Sequence, residues 1–238
     1  MSEQARSGAA HTERAPETEI GWCSHELAQE LPQLRLVLAR APLARPGSIG
    51  GRSLSDPSPP SLQGRLHELS NRFRGARAVS LRREPVPGAY RAFYHQVGLD
   101  PDLVRTPIEA AALTRMLDGG FLGTGLLKDS LLIALLDTAV PVWALDAGAL
   151  QGPLGLRVSR AGEPLGRSAD APALTGGAIV LADAIVAVGT LFGELAEECE
   201  PSTGTRELIL FAVQVAGVPE IYVEEALWIC LECLQAGA

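Results

Sequence analysis

Residues 139–165 decide the fold: Ala-Val-Pro-Val-Trp-Ala-Leu-Asp (139–146), then Ala-Gly-Ala-Leu-Gln-Gly-Pro-Leu-Gly-Leu-Arg-Val-Ser-Arg-Ala-Gly-Glu-Pro-Leu (147–165). Val140–Leu145 is a short apolar run bounded by turn residues, and it predicts a strand. Gly148, Gly152 and Pro153 punctuate the chain before a second strand over Leu154–Val158. Further strands are expected at Ala178–Leu181, Ile185–Thr190 and Leu208–Val215.

Working outward, helices dominate the preceding stretch. Leu62, Leu66, Leu69 and Phe73 share one face of a helix over 61–74, and a second helix follows around Tyr90 to Val97. Thr106-Pro107-Ile108-Glu109 is the clearest start signal: a capping threonine, a proline suited to the first helical position, and a glutamate that closes a capping box. That helix should end at Gly119-Gly120. Another covers Leu126–Leu136, and Pro219–Gln235 closes the chain with Tyr222, Ala226, Ile229, Cys230 and Cys233 on one face. Upstream, Glu19–Ser24 and Leu34–Ala39 suit strands. Ser24 can cap a helix that stops at Pro32. Residues 41–60 hold five prolines with several glycines and serines and read as a linker or long loop. Residues 1–16 carry no periodicity and are expected to be a disordered tail. The expected organisation is therefore this tail, a segment 17–60 with a strand, a helix and the Pro/Gly-rich loop, and a main domain over 61–238. Helices first, strands later and one closing helix define an α+β protein.

Composition sets the function classes. The 238 residues, 47% of them hydrophobic, can bury one large core. A formal net charge of −8 weighs against a nucleic-acid binder and argues against DNA. Four scattered cysteines do not make a disulfide scaffold. The polar first residues lack the apolar segment of a signal peptide, and no apolar run reaches the ~18 residues that span a bilayer. A cytoplasmic protein without membrane partners is expected. Lys128 is the only lysine among 20 basic residues, which reads as arginine-biased codon usage.

Pro141, Asp146, Gly152, Arg157, Gly162 and Glu163 fall without a gap on the pattern P-x-H-A-F-D, a turn with G, a strand ending in R, then G-E. In this the chain resembles the B3/B4 domain of the phenylalanyl-tRNA synthetase β subunit, over roughly residues 88–235. The resemblance implies a β-sandwich-like core of mixed and antiparallel strands flanked by helices. It also implies an editing activity that hydrolyses the ester of a mischarged tRNA, here as a free-standing factor acting in trans. The family segment V-D-x-T-N places its aspartate on Asp129 and its threonine and asparagine on Leu131 and Leu132. The family's pocket histidine falls on Trp143. An L-A-G segment falls on Ala187-Val188-Gly189. A pattern T-x-x-x-x-L-E keeps Thr205 but places its glutamate on Phe211. Scaffold positions match better than polar pocket positions.

On this alignment Asp129, Gly189, Thr190 and Thr205 would border the ester, and Trp143 and Phe211 would line the substrate pocket. An aminoacyl ester is already activated, so orientation and backbone donors can suffice for its hydrolysis. The partner would be the aminoacylated 3′ end of a tRNA, with no cofactor and no metal. Phosphates would be held by Arg65, Arg72, Arg74, Arg77, Arg82, Arg83 and Arg91, beside the aromatic residues Phe73, Tyr90, Phe93 and Tyr94. The plainer reading of that segment is a solvated helix face over an aromatic anchor. Two other classes compete: a tRNA- or RNA-binding module that has lost its chemistry, and a small-molecule-binding domain.

The remaining motifs read plainly. Cys230-x-x-Cys233 sits inside an amphipathic helix and suits core packing. Gly119–Gly125 lacks the Lys-Ser/Thr of a phosphate loop and reads as a connector. Glu194, Glu197, Glu198 and Glu200 form an acidic loop. Its sharper reading is attraction of a cationic aminoacyl side chain at a pocket mouth. The histidines have no ligand or relay spacing.

Overall fold

The computed structural model describes residues 17–73 and 75–236. The expected tail at 1–16 and Arg74 lie outside the described residues. The protein is α+β. Strands β1 (Thr18–Ile20), β3 (Arg35–Pro42), β10 (Glu207–Gln214) and β6 (Val142–Asp146) form an antiparallel sheet in the order β1-β3-β10-β6. Strands β2 (Trp22–Cys23), β7 (Gly155–Val158), β8 (Ile179–Ala182) and β9 (Ala187–Thr190) form a mixed sheet in the order β2-β7-β8-β9, in which only β2 runs parallel to its neighbour.

Gly21 joins the two sheets. Its N–H donates to the Leu36 carbonyl at 2.8 Å, and a Cβ there would lie 2.7 Å from the Leu154 oxygen. Gly155 is required for a similar reason, because a Cβ would meet the Trp22 indole at 2.2 Å.

β3 pairs with β10 along its whole length, from Pro42↔Glu207 to Arg35↔Gln214. Four consecutive residues of β3, Leu36–Ala39, are buried, as are all six from Leu208 to Val213 in β10. Such runs mark strands covered on both faces. The boundary expected at residue 60 separates two strands that share every rung of a ladder, so residues 17–42 supply part of the same core. The Pro/Gly-rich stretch contributes a short hairpin, β4 (Ser48–Ile49) with β5 (Arg52–Ser53).

Seven α-helices surround the sheets among the described residues: α1 (His25–Glu30), α2 (Pro60–Arg72), α3 (Gly75–Ser80), α4 (Pro85–Gln96), α5 (Pro107–Asp118), α6 (Leu126–Thr138) and α7 (Glu220–Ala236). Ser24 caps α1, accepting from the Leu27 N–H at 3.4 Å. At the start of α5 the Thr106 N–H and hydroxyl both donate to Glu109, and Gly119 ends the helix at φ 75°. α7 packs on β10, β3 and α6, whereas α5 packs chiefly on α3 and α6. Cys230 and Cys233 are buried on α7, and burial pushes the Cys233 thiol up to about 11, which keeps it protonated at neutral pH and suits packing.

Candidate functional site

The family-pocket positions Trp143 and Phe211 face each other directly, because β6 and β10 pair in that register. Their rings stack at 5.8 Å with 15° between planes. Phe192 then lies against Trp143 at 5.6 Å and stacks on Tyr94 at 5.4 Å, with Tyr90 and Phe93 edge-on at 5.8 and 5.9 Å. Phe211 and Tyr90 are fully buried. The Tyr90 hydroxyl satisfies itself on the Val213 carbonyl at 2.9 Å, and burial raises the pKa of that phenol. Six aromatic rings thus occupy the place that the resemblance gives to a histidine and a glutamate. Leu131 and Leu132, on the family's polar positions, pack against the same core. This cluster holds no group able to transfer a proton at neutral pH.

Phe192 was not singled out from sequence. It sits in a tight turn closed by the Thr190 N–H on the Glu194 carbonyl (2.8 Å) and the Gly193 N–H on the Thr190 carbonyl (3.2 Å). Its φ of 56° is unusual for a bulky residue. No periodicity marks a residue held this way, and only its position beside a glycine hinted at a turn.

The four residues expected at the ester separate into two places. Asp129 is fully buried in the first turns of α6. One carboxylate oxygen accepts from the Ser58 hydroxyl at 2.6 Å, and the other accepts from the Thr124 N–H at 2.9 Å and hydroxyl at 3.4 Å. Thr205 is equally buried. Its hydroxyl donates to Asp146 at 2.7 Å and accepts from the Ser202 N–H at 2.9 Å, while its carbonyl accepts from the Gly47 N–H at 2.6 Å. Thr124, Ser202 and Gly47 are wall residues of one cavity of about 350 Å³. The structure therefore brings Asp129 and Thr205 to the same cavity, as the groups that hold its walls.

Gly189 and Thr190 lie in the other sheet. Gly189 is a close-approach glycine, since a Cβ would fall 2.8 Å from the Leu195 side chain. Thr190 borders a separate cleft of about 440 Å³ with Leu27, Val97, Val158, Ile179 and Leu191 among its walls.

The basic segment is largely paired. Arg65 and Arg72 share Asp137, at 2.8 and 2.6 Å. Arg82 and Arg91 share Asp102 and the buried Glu109. Arg77 lies 3.8 Å from Glu84 and stacks over the Phe73 ring at 4.7 Å. Arg83 is exposed. These pairs draw on Asp102, Glu109 and Asp137, which lie far along the chain from the arginines, so a local charge count could not find them. Glu194, Glu197, Glu198 and Glu200 are exposed, and Glu198 accepts from the Arg167 N–H.

The cavity beside Asp129 and Thr205 escaped the sequence because its polar lining is scattered along the chain: Ser53 and Ser55, Thr124 with Lys128 in the first turn of α6, and Ser202 and Thr203. Among the described residues, no cluster of three or more His, Cys, Asp or Glu could hold a metal ion, and no helix is long and apolar enough to cross a membrane. No protein-family model and no curated protein matches the chain.

Proposed function

We propose that the protein is a free-standing binding module of the B3/B4 kind, which takes the aminoacylated 3′ end of a tRNA and does not hydrolyse it. The supporting observation is the stack of Trp143 on Phe211 with Phe192 against it. Aromatic rings favour contact with a base or an apolar side chain, and none of these side chains is a general base at neutral pH. Phosphate would be taken by exchange at solvent-facing arms: the Arg72 and Arg82 side chains are 55% and 53% exposed, so a phosphate can replace their carboxylate partners there. Arg65 and Arg91 are more enclosed and keep the segment folded. Such a module works in the cytoplasm.

Hydrolysis in trans is the second reading. One observation favours it: Asp129 and Thr205, both unchanged in type on the family pattern, anchor one hydroxyl-lined cavity.

The test combines binding with turnover. A panel of aminoacyl-tRNAs is incubated with the protein, and bound tRNA and released amino acid are measured together. Binding without release is expected, with a salt dependence that flattens when Arg72, Arg77 and Arg82 are replaced by alanine, because fewer counterions are released. Deacylation that disappears in Asp129→Asn and Thr205→Val would put the hydrolase reading first. No binding to any tRNA would end both.

A further inference from the structure

We propose that the cavity bounded by the 47–55 and 201–203 loops, Thr124-Gly125 and the first turn of α6 is a binding site for a phosphoryl group, with Lys128 as its cation. This is independent of the tRNA reading, since it rests on neither the aromatic cluster nor the arginine segment. The walls carry five hydroxyl side chains, Ser53, Ser55, Thr124, Ser202 and Thr203, and the chain's single lysine. Leu54, Leu127 and Pro201 supply the apolar remainder. No carboxylate is among the lining residues, although the chain carries 28 of them. Asp129, next to Lys128, is buried and held by Ser58 and Thr124, and Asp56, next to Ser55, is exposed and accepts from the Ser53 N–H at 2.8 Å; Glu200, next to Pro201, is exposed outside the lining. Lys128 is exposed and makes no ion pair among the described residues.

The enclosure is built, because two glycines let the loops close on each other. Gly47 has φ 62°, and a Cβ there would lie 2.5 Å from the Thr203 backbone. Gly125 has φ 144°, and a Cβ would lie 3.1 Å from the Ser55 carbonyl. The α6 N-terminus does not itself supply the anion site. Its Leu126 and Leu127 N–H groups already donate to the carbonyls of Asp56 and Leu54, at 2.9 and 3.0 Å. What these bonds do is hold the 53–56 loop, with its paired Ser53 and Ser55 hydroxyls (3.0 Å), beside Lys128.

Phosphate is the anion that suits this lining. A phosphoryl group has three terminal oxygens that can accept at once from the 53–55 loop, the 201–203 loop and Lys128, whereas a carboxylate has two coplanar ones. About 350 Å³ lies in the range of small-ligand sites and leaves room for a sugar-sized body beside the anion. The source is either a free phosphomonoester or the terminal nucleotide of an RNA, and the chemistry at Lys128 is the same for both.

Calorimetric titration with inorganic phosphate, ribose 5-phosphate, a CCA trinucleotide and acetate tests the proposal. Ribose 5-phosphate is expected to bind more tightly than acetate, and Lys128→Ala to weaken it about tenfold, as for loss of a charge-assisted hydrogen bond. Lys128 is exposed, so Lys128→Ala should leave the melting temperature unchanged and the loss is read as binding. Thr203→Val, on a different loop, should weaken phosphate without affecting acetate. Preference for ribose 5-phosphate over the trinucleotide assigns a free ligand, and the reverse assigns an RNA end. Equal affinity for acetate and phosphate, an unchanged affinity in Lys128→Ala, or no phosphate binding at millimolar concentration would each overturn the site.

Discussion

The aromatic cluster at Trp143 and the hydroxyl-lined cavity beside Asp129 have opposite chemistry. In the first, six rings pack on one another, and the Tyr90 hydroxyl is already used on the Val213 carbonyl. In the second, hydroxyl residues and a lysine line the cavity, while the buried Asp129 and the half-buried Asp146 beside it are hydrogen-bonded to its walls. Asp129 and Thr205 tie loops together, through Ser58 and Thr124 for the first and through Asp146, Ser202 and Gly47 for the second. Trp143 and Phe211 instead stack on each other across two paired strands. One pair of positions therefore braces the walls of a cavity, and the other fills an apolar layer.

That contrast can be broken by mutation, and the largest effect belongs to the cluster. Phe211→Ala should destabilise the fold by about 4 kcal/mol, since it removes a fully buried ring that stacks on Trp143. Denaturant unfolding checks this, and a cost below about 1 kcal/mol would mean the rings are not packed as core. Asp129→Ala follows, at about 3 kcal/mol, because it strands the Ser58 hydroxyl and the Thr124 N–H. It should also weaken ligand binding at the cavity, whereas Phe211→Ala, measured where it remains folded, should not. Thr205→Val keeps shape and loses two hydrogen bonds, for about 2 kcal/mol. If Asp129→Ala and Thr205→Val leave stability untouched, these residues do not build walls, and a direct role on substrate regains its place.

The α+β class and most element positions were legible, because apolar periodicity and caps such as Thr106/Glu109 are local signals. β3 was legible as a strand, but its partner was not: nothing in Leu34–Ala39 says that it lies against β10, more than 160 residues later. The same holds at the site. Asp129 and Thr205 could be picked out by pattern, but not the direction in which their oxygens point. Lys128 stood out in the sequence only as an oddity of composition. Its surroundings are made by the 47–55 and 201–203 loops, which meet it only in the fold. The arginine segment read as a positive stripe because its acids come from elsewhere, with Asp137 on α6 and Glu109 on α5 closing the pairs.

The smallest expected effect concerns acid, and it separates the two sheets. Glu163 is held below the ordinary carboxylate range first by the Arg157 guanidinium, with both nitrogens at 2.8 Å, and then by the Arg160 N–H. Burial alone would push Asp183 up, but the N–H groups of Val186, Gln151 and Ile185, together with Arg167, outweigh it and hold it down. Both groups brace the turns around β7, β8 and β9. A carboxylate whose folded pKa is depressed stabilises the fold above its unfolded pKa of about 4, and that contribution disappears as pH falls through the lower folded value. Glu163→Gln and Asp183→Asn should therefore each lower the melting temperature by about 3 °C at pH 7. The gap to the unmodified protein should close as the pH drops from 5 towards 2, when its own carboxylates take up protons. Melting curves across that range decide the matter. A gap that stays constant down to pH 2 would show that these side chains act through shape and not through charge. A gap that closes for Glu163→Gln alone would leave the three backbone donors around Asp183 as the stronger brace.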